Sequence, residues 1–331
     1  MEIGVLERIQ HALATWVVPG SLFPEEESGM KTGSLLIVDD DPLNREIILE
    51  YLEEGNFQLT ACADGAEAWE RLSAGEAYDA VVLDRMMPKM SGMELLVRMK
   101  RDPRLCWIPV IMQTASATRS EIAEGIRLGA LYYLTKPFEQ EALLAIVFAS
   151  LEVASHRTEL VRRITAHVGE DDPPEPGSYS FSNLEEAWDL AASLSRVTAD
   201  PTSAGMGLMA LMENAIEHGI LGITCEEKVR LLGMGQFRDE VNRRMALPEN
   251  SRRRVTVDYF CQGANAVFRL SDAGPGFDWK PYLELDPRRA HAPCGRGIAQ
   301  ARTQAFESLE YQGNGNSVQA TIKANPQCCT A

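Results

Sequence analysis

Between residues 34 and 140 the chain alternates two kinds of pattern. Short apolar runs at 34–38, 57–61, 80–83, 108–113 and 131–135 have the length and residue types of buried strands. The stretches 43–54, 65–74, 93–101 and 120–128 repeat apolar residues at helical spacing, and another such stretch starts at Glu139. Gly55 and Pro103 act as stops. Strands that alternate with helices predict an α/β domain with a doubly wound parallel sheet, in the order 2-1-3-4-5.

From Glu139 to Val168 there is neither Pro nor Gly, and the pattern predicts one helix of about 45 Å at 1.5 Å per residue. Leu144, Val147, Leu151, Ala154, Thr158, Val161, Thr165 and Val168 follow a 3-4 spacing. That spacing suits a coiled-coil seam between two copies, or equally a solvated helical linker. The acidic, Pro-rich stretch 169–177 then breaks all periodicity and marks a domain boundary. Beyond it, 178–182, 255–260, 266–271, 308–311 and 318–323 read as strands, and 184–197 and 207–219 as helices. The charged insertion 224–251 has no clear place in this pattern. The expected organisation is an amphipathic segment at 1–32, a first domain at 33–139, a connector at 140–177, a second domain at 178–325 and a tail at 326–331. In the first segment Ile3, Leu6, Ile9, Leu13 and Trp16 recur at helical spacing and predict a helix that packs on this chain or a second copy.

Composition narrows the classes. With 45% hydrophobic and 24% charged residues, the 331-residue chain has the make-up of a globular protein. It holds no apolar run long enough to span a membrane and no secretory leader, so no membrane insertion is expected. A net charge of −16 argues against nucleic acid as a partner. The seven Cys lack metal-ligand spacing, and their odd number predicts reduced thiols in a cytoplasm.

In a parallel sheet the strand ends converge on one edge, so Asp39, Asp40, Asp84, Thr114 and Lys136 are expected there together. Clustered carboxylates need a cation, and Mg²⁺ takes hard oxygen donors while keeping waters. Lys136 and the Thr114 hydroxyl suit the oxygens of a phosphoryl group carried by Asp84. These residues, with Asp84-x-x-Met87-Pro88-x-x-Ser91-Gly92 and Lys136-Pro137-Phe138, resemble the receiver domain of two-component response regulators. The resemblance covers about a third of the chain. It implies a flavodoxin-like fold and phosphorylation of Asp84 by a sensor histidine kinase. It also implies a metal held by Asp40, Asp84 and the Met86 carbonyl, with Asp39 helping through water. Thr114 and Tyr133 would respond to the phosphoryl group as switch residues.

In the second domain Glu213, Asn214, Glu217 and His218 form a polar stripe on an otherwise apolar helix, for which a bound Mg²⁺-nucleotide would supply partners. Asp272-Ala273-Gly274-Pro275-Gly276 follows a strand, and Gly295-Arg296-Gly297 opens a helix. In this order the three segments resemble the GHKL ATP-binding fold, and Asn-Ala-Ile-Glu-His-Gly is most similar to anti-sigma-factor serine kinases. That resemblance implies a helical layer on a mixed sheet that binds ATP. Asn214 would hold Mg²⁺, Glu213 would act as general base, Asp272 would read adenine, and His218, Gly274, Gly276, Gly295 and Gly297 would shape the pocket. The second glycine motif is sparser than the family's.

The expected function is a response regulator with an anti-sigma-kinase-like output, acting on a sigma factor or its antagonist as a serine kinase or binder. It would form a homodimer through the connector helix or the receiver face. The alternative is a non-catalytic adaptor switched by phosphorylation. A hybrid histidine kinase would use His156, but His156-Arg157-Thr158-Glu159 fits that family's phosphoacceptor box poorly.

Overall fold

The computed structural model describes residues 33–53, 55–115, 118–166, 173–233, 236–284, 286 and 294–328. The amphipathic segment expected at 1–32 lies outside these residues, as does the acidic centre of the linker. The chain divides into two compact units, which meet in sequence between Ser155 and His156.

In the first unit β1 (Ser34–Val38), β2 (Gln58–Cys62), β3 (Ala80–Asp84), β4 (Val110–Thr114) and β5 (Tyr132–Thr135) form one sheet. Its order is β2-β1-β3-β4-β5 and every pairing is parallel, as the alternating pattern predicted. The helices α1 (Pro42–Glu53), α2 (Gly65–Ser73), α3 (Gly92–Arg101) and α4 (Arg119–Arg127) connect the strands. Caps fix where they start: Asp64 accepts from two backbone N–H groups of α2, and Ser91–Glu94 and Thr118–Glu121 form capping boxes on α3 and α4. Strand alternation divides the interior. Leu36, Val38, Val81, Leu83 and Met112 face one apolar cluster, while Leu35, Ile37, Val82 and Ile111 face the other.

The helix α5 (Gln140–Ala166) is continuous, as its lack of Pro and Gly predicted. Its buried residues serve two cores in turn. Leu143, Ile146 and Val147 are buried in the first unit's core, whereas Leu160 is buried in the second unit's core, where Ile164 packs as well. A Cβ on Gly205 would lie 2.9 Å from a Leu160 methyl, so the helix packs closely there. Of the 3-4 repeat, Leu144, Val147 and Leu151 pack into the first core, whereas Thr158, Val161 and Thr165 are exposed.

In the second unit β6 (Gly177–Phe181), β7 (Val255–Gln262), β8 (Asn265–Ser271), β9 (Ser308–Gln312) and β10 (Ser317–Lys323) form a sheet in the order β6-β7-β8-β10-β9. All four pairings are antiparallel, so the expected mixed sheet is corrected. Alternate residues of β7, Val255, Val257 and Tyr259, face a core shared with α6 (Leu184–Ser195) and α7 (Pro201–Asn214). After Asn214 the helix widens into a π-turn over Ala215–Ile220. The charged insertion forms α8 (Cys225–Gly233) and α9 (Phe237–Met245), tied together by Arg244, which pairs with Glu227 and Glu240.

Among the described residues no helix is long and apolar enough to cross a membrane.

Candidate functional sites

The carboxyl edge of the parallel sheet gathers the first site. Asp39 and Asp84 follow Val38 and Leu83, so strand alternation turns both toward the same sheet face. They are only 1% and 6% exposed. Lys136 Nζ stands 2.7 Å from Asp39 Oδ2 and 2.5 Å from Asp84 Oδ1, and its charge offsets the repulsion between them. Asp84 Oδ2 accepts the Met86 N–H at 2.7 Å. Burial pushes the Asp84 carboxyl above its ordinary pKa, and Lys136 pulls the other way. Burial disfavours the charge on Lys136, but its hydrogen bonds to Asp39 and Asp84 outweigh that and hold its pKa above the ordinary value.

Of the other expected residues, Thr114 is buried and its carbonyl accepts the Lys136 N–H at 2.8 Å. Asp40 is exposed, and Met86 is 71% exposed. Tyr133 is fully buried, and its hydroxyl sits against Gly125, where a Cβ would overlap it at 1.6 Å. Burial raises the Tyr133 pKa to about 12, so its hydroxyl stays protonated at neutral pH. Gly92 has a similar steric reason, since a Cβ there would lie 2.0 Å from the Asp84 carbonyl oxygen.

Among the described residues no three His, Cys, Asp or Glu side chains already converge as a metal cluster. The side chains at this edge nevertheless offer hard oxygens, the two buried carboxylates of Asp39 and Asp84, with the exposed Asp40 next in sequence to Asp39. That set suits Mg²⁺, which keeps waters among its ligands.

Two residues near this site are not evident from sequence. Gln113 reads there as one more member of a strand, yet its Nε2 donates to Asp39 Oδ2 at 3.1 Å. Arg85, directly after Asp84, pairs with Glu121 in the capping box of α4. The Arg85 hydrogen bond, followed by those of Thr118, brings the Glu121 pKa down to about 2. A carboxylate with a depressed folded pKa stabilises the fold above its unfolded value, near 4.5, and that contribution disappears as pH falls toward 2. Urea midpoints between pH 5 and pH 2 should therefore fall less steeply for Arg85→Leu than for the natural chain. Equal slopes would remove Arg85 as the cause.

The second site is a narrow, partly open cleft with room for little more than a water molecule, lined by Asn214, Ser271, Asp272, Phe277, Tyr311 and Ser317, among others. The Asn214 Nδ2 is buried, and among the described residues no group accepts a hydrogen bond from it. Asp272 Oδ1 accepts the Gly274 N–H at 2.8 Å. Burial raises the Asp272 pKa, and the Gly274 N–H works against that shift. The cleft thus brings together a donor, a carboxylate and aromatic side chains. A Cβ on Gly297 would stand 3.8 Å from Asn214 Nδ2, so the glycine turn runs beside the cavity. Gly274 and Gly276 answer first to the protein's own packing. A Cβ at Gly274 would overlap the Gly219 carbonyl oxygen at 1.9 Å, and Gly276 has φ +80°. Gly295, at φ +79°, sits against Tyr282.

The rest of the polar stripe points elsewhere. Glu213 is not among the residues lining the cavity; its Oε1 lies 3.5 Å from Nδ1 of His156, whose ring meets Trp188 edge-on. Successive helical residues are about 100° apart, so Glu213 and Asn214 cannot share a face. Glu217 is buried and paired with Lys228 Nζ at 2.7 Å. His218 Nδ1 meets the Ile223 carbonyl oxygen, and its ring packs near Phe277 rather than lining the cavity. The expectation of reduced thiols is also corrected: Cys225 and Cys294, 69 residues apart in sequence, form a disulfide with Cα atoms 6.1 Å apart. Only the fold brings them together, so no spacing rule could have found them.

Comparison with known proteins bears on the first unit. The family described as response regulator receiver domain matches residues 35–148. The DNA-binding dual master transcriptional regulator RpaA of Synechocystis is 35% identical over 133 residues, 40% of this chain and 53% of that protein. The transcriptional regulatory protein TcrA of Mycobacterium tuberculosis is 35% identical over 136 residues, 41% of this chain and 51% of that protein. The chain therefore spans about half the length of these relatives. Among solved structures, the receiver domain of a signal transduction histidine kinase from Syntrophus aciditrophicus is 32% identical. It covers 36% of this chain and 90% of that one, at a TM-score of 0.34.

Proposed function

Residues 35–148 are a response regulator receiver domain, and from that premise we propose that the chain is a phosphorylation-controlled regulator with a nucleotide-binding output. A sensor histidine kinase transfers a phosphoryl group to Asp84. The carboxylate attacks phosphorus, and the bond to the donor histidine breaks. Lys136, already bonded to Asp84, is placed to pair with an added phosphoryl oxygen, and the Thr114 hydroxyl is a second donor at that edge. Asp39, Asp40, Asp84 and the Met86 carbonyl would hold Mg²⁺, which when bound supplies positive charge to the transferring group. The observation that carries this part is Lys136 bridging two buried carboxylates at the ends of two different strands.

For the second unit the reading is a GHKL-like ATP-binding module, with Asp272 reading the adenine amino group and Asn214 facing the phosphate side. Its main support is the buried Asn214 amide, which has a hydrogen to donate and no acceptor among the described residues, on the same cavity as Asp272. The partner class implied by the anti-sigma resemblance is a sigma factor or its antagonist. Glu213 lies against His156, and the carboxylate lining the cavity is that of Asp272. That favours nucleotide-dependent partner binding over phosphoryl transfer to a protein serine, which needs a base beside the nucleotide. The RpaA and TcrA names concern DNA-binding or transcriptional proteins, but a net charge of −16 does not favour a phosphate backbone as this chain's partner.

The test incubates the full chain and a candidate anti-sigma antagonist with γ-labelled ATP and Mg²⁺. The expected result is a nucleotide-dependent complex without phosphoserine on the antagonist. Phosphoserine that disappears in Glu213→Ala would instead make the module a kinase.

A further inference from the structure

We propose that Gln113 is a positioning residue of the phosphorylation site, acting through Asp39 on the binding of Mg²⁺. The proposal rests on reading Asp39 and Asp84 as Mg²⁺ donors.

Gln113 is fully buried on β4, and its Cα partner on β3 is Asp84. It follows Met112, which faces one core, so its side chain goes to the opposite face. That is the face to which Asp39 and Asp84 turn. There Gln113 Nε2 donates to Asp39 Oδ2 at 3.1 Å, the same oxygen that Lys136 Nζ holds at 2.7 Å. Asp39 Oδ1 accepts the Asp41 N–H at 2.9 Å. Both oxygens of Asp39 are thus directed by fixed donors, and among the described residues Gln113 is the neutral one of the two side chains that reach Oδ2. When Lys136 is drawn toward a phosphoryl group, the Gln113 amide still holds Asp39 in place.

The other end of the amide points the same way. Gln113 Oε1 is buried and accepts no hydrogen bond from the described residues. A buried acceptor without a donor destabilises the fold, and an apolar side chain of similar size would avoid that penalty. An amide at this position is therefore poorly explained by packing and well explained by its bond to a metal-site carboxylate. Residues that orient a metal ligand without touching the metal alter affinity by about 10–100-fold when replaced.

This gives Gln113→Met an unusual signature. Met keeps the length and fills the space. In the full chain, Mg²⁺ is titrated alone and followed at the Met86 backbone amide by NMR. The expected result is Mg²⁺ affinity weakened about tenfold or more, with the melting temperature unchanged or raised. Asp39→Asn combined with Gln113→Met should bind Mg²⁺ within about twofold of Asp39→Asn alone, because both act through one carboxylate. In the natural chain, the Gln113 side-chain amide signal should shift along the same Mg²⁺ titration curve as Met86, a readout that does not depend on how the variant folds.

Mg²⁺ affinity in Gln113→Met equal to that of the natural chain would overturn the proposal, most plainly with a lowered melting temperature, which would assign the residue to packing. A Gln113 amide signal indifferent to Mg²⁺ would overturn it as well. If the natural chain itself shows no Mg²⁺ binding at Met86, the reading of the metal donors falls, and the role of Gln113 falls with it.

Discussion

Asp84→Asn abolishes phosphoryl incorporation from a cognate sensor kinase or from acetyl phosphate, a loss of about three orders of magnitude or more. The substitution keeps the shape of the side chain and removes its nucleophilic charge. Asp39 keeps its bonds to Lys136 and Gln113. One of two crowded buried carboxylates becomes neutral, so the first unit should remain folded. Acid-labile, base-labile label retained on Asp84→Asn would move the acceptor to another residue. Intact mass before and after phosphorylation checks the stoichiometry, which should be one phosphoryl group on the natural chain and none on the variant.

Asp272→Asn weakens ATP binding by about 10–100-fold, the cost of replacing a charged acceptor in a half-buried site. The side-chain oxygen of the substituted amide would still accept the Gly274 N–H, so the loop is expected to hold. The NH₂ of that amide would face the purine amino group, donor against donor. Asn214→Leu acts on the same cleft and removes a buried donor that has no acceptor among the described residues. Displacement of a fluorescent ATP analogue measures both variants. Affinity kept in both would mean that nucleotide, if bound, sits elsewhere.

The receiver half was legible in the sequence because a parallel sheet obeys simple geometry. Each strand's end lies at one edge, so Asp39, Asp84, Thr114 and Lys136 could be brought together from their positions alone. What escaped was Gln113, one residue before a strand end. A lone polar residue in an apolar run does not say which face it takes or what it meets there. The connector is ambiguous in sequence for a related reason. A 3-4 repeat does not say which of its positions are buried or by what: Val147 enters the first core, Val161 is exposed, and Leu160, outside the repeat, enters the second core. In the second unit the polar stripe located the right helix but grouped residues that point apart. Asn214 faces the cavity, Glu213 faces His156, and Glu217 is neutralised by Lys228 from the insertion. The π-turn that begins after Asn214 resets the helical register, so a 3.6-residue period drawn through Glu217 and His218 was bound to misplace them.

The glycines divide along the same line. Gly92 and Gly274 could be recognised as special in sequence, but not for what, and Gly125 reads there only as one member of a helix. In the fold they make room for the Asp84 carbonyl, the Tyr133 hydroxyl and the Gly219 carbonyl. Steric need within the protein explains these three before any ligand does.

The central claim is that phosphorylation of Asp84 controls a nucleotide-binding module in the same chain. Calorimetric titration of ATP into the full chain with Mg²⁺, with and without beryllofluoride on Asp84, tests it most directly. The account predicts measurable ATP binding whose affinity changes several-fold on beryllofluoride addition, and no such change in Asp84→Asn. Absence of ATP binding in both states, or one affinity regardless of beryllofluoride, would contradict it.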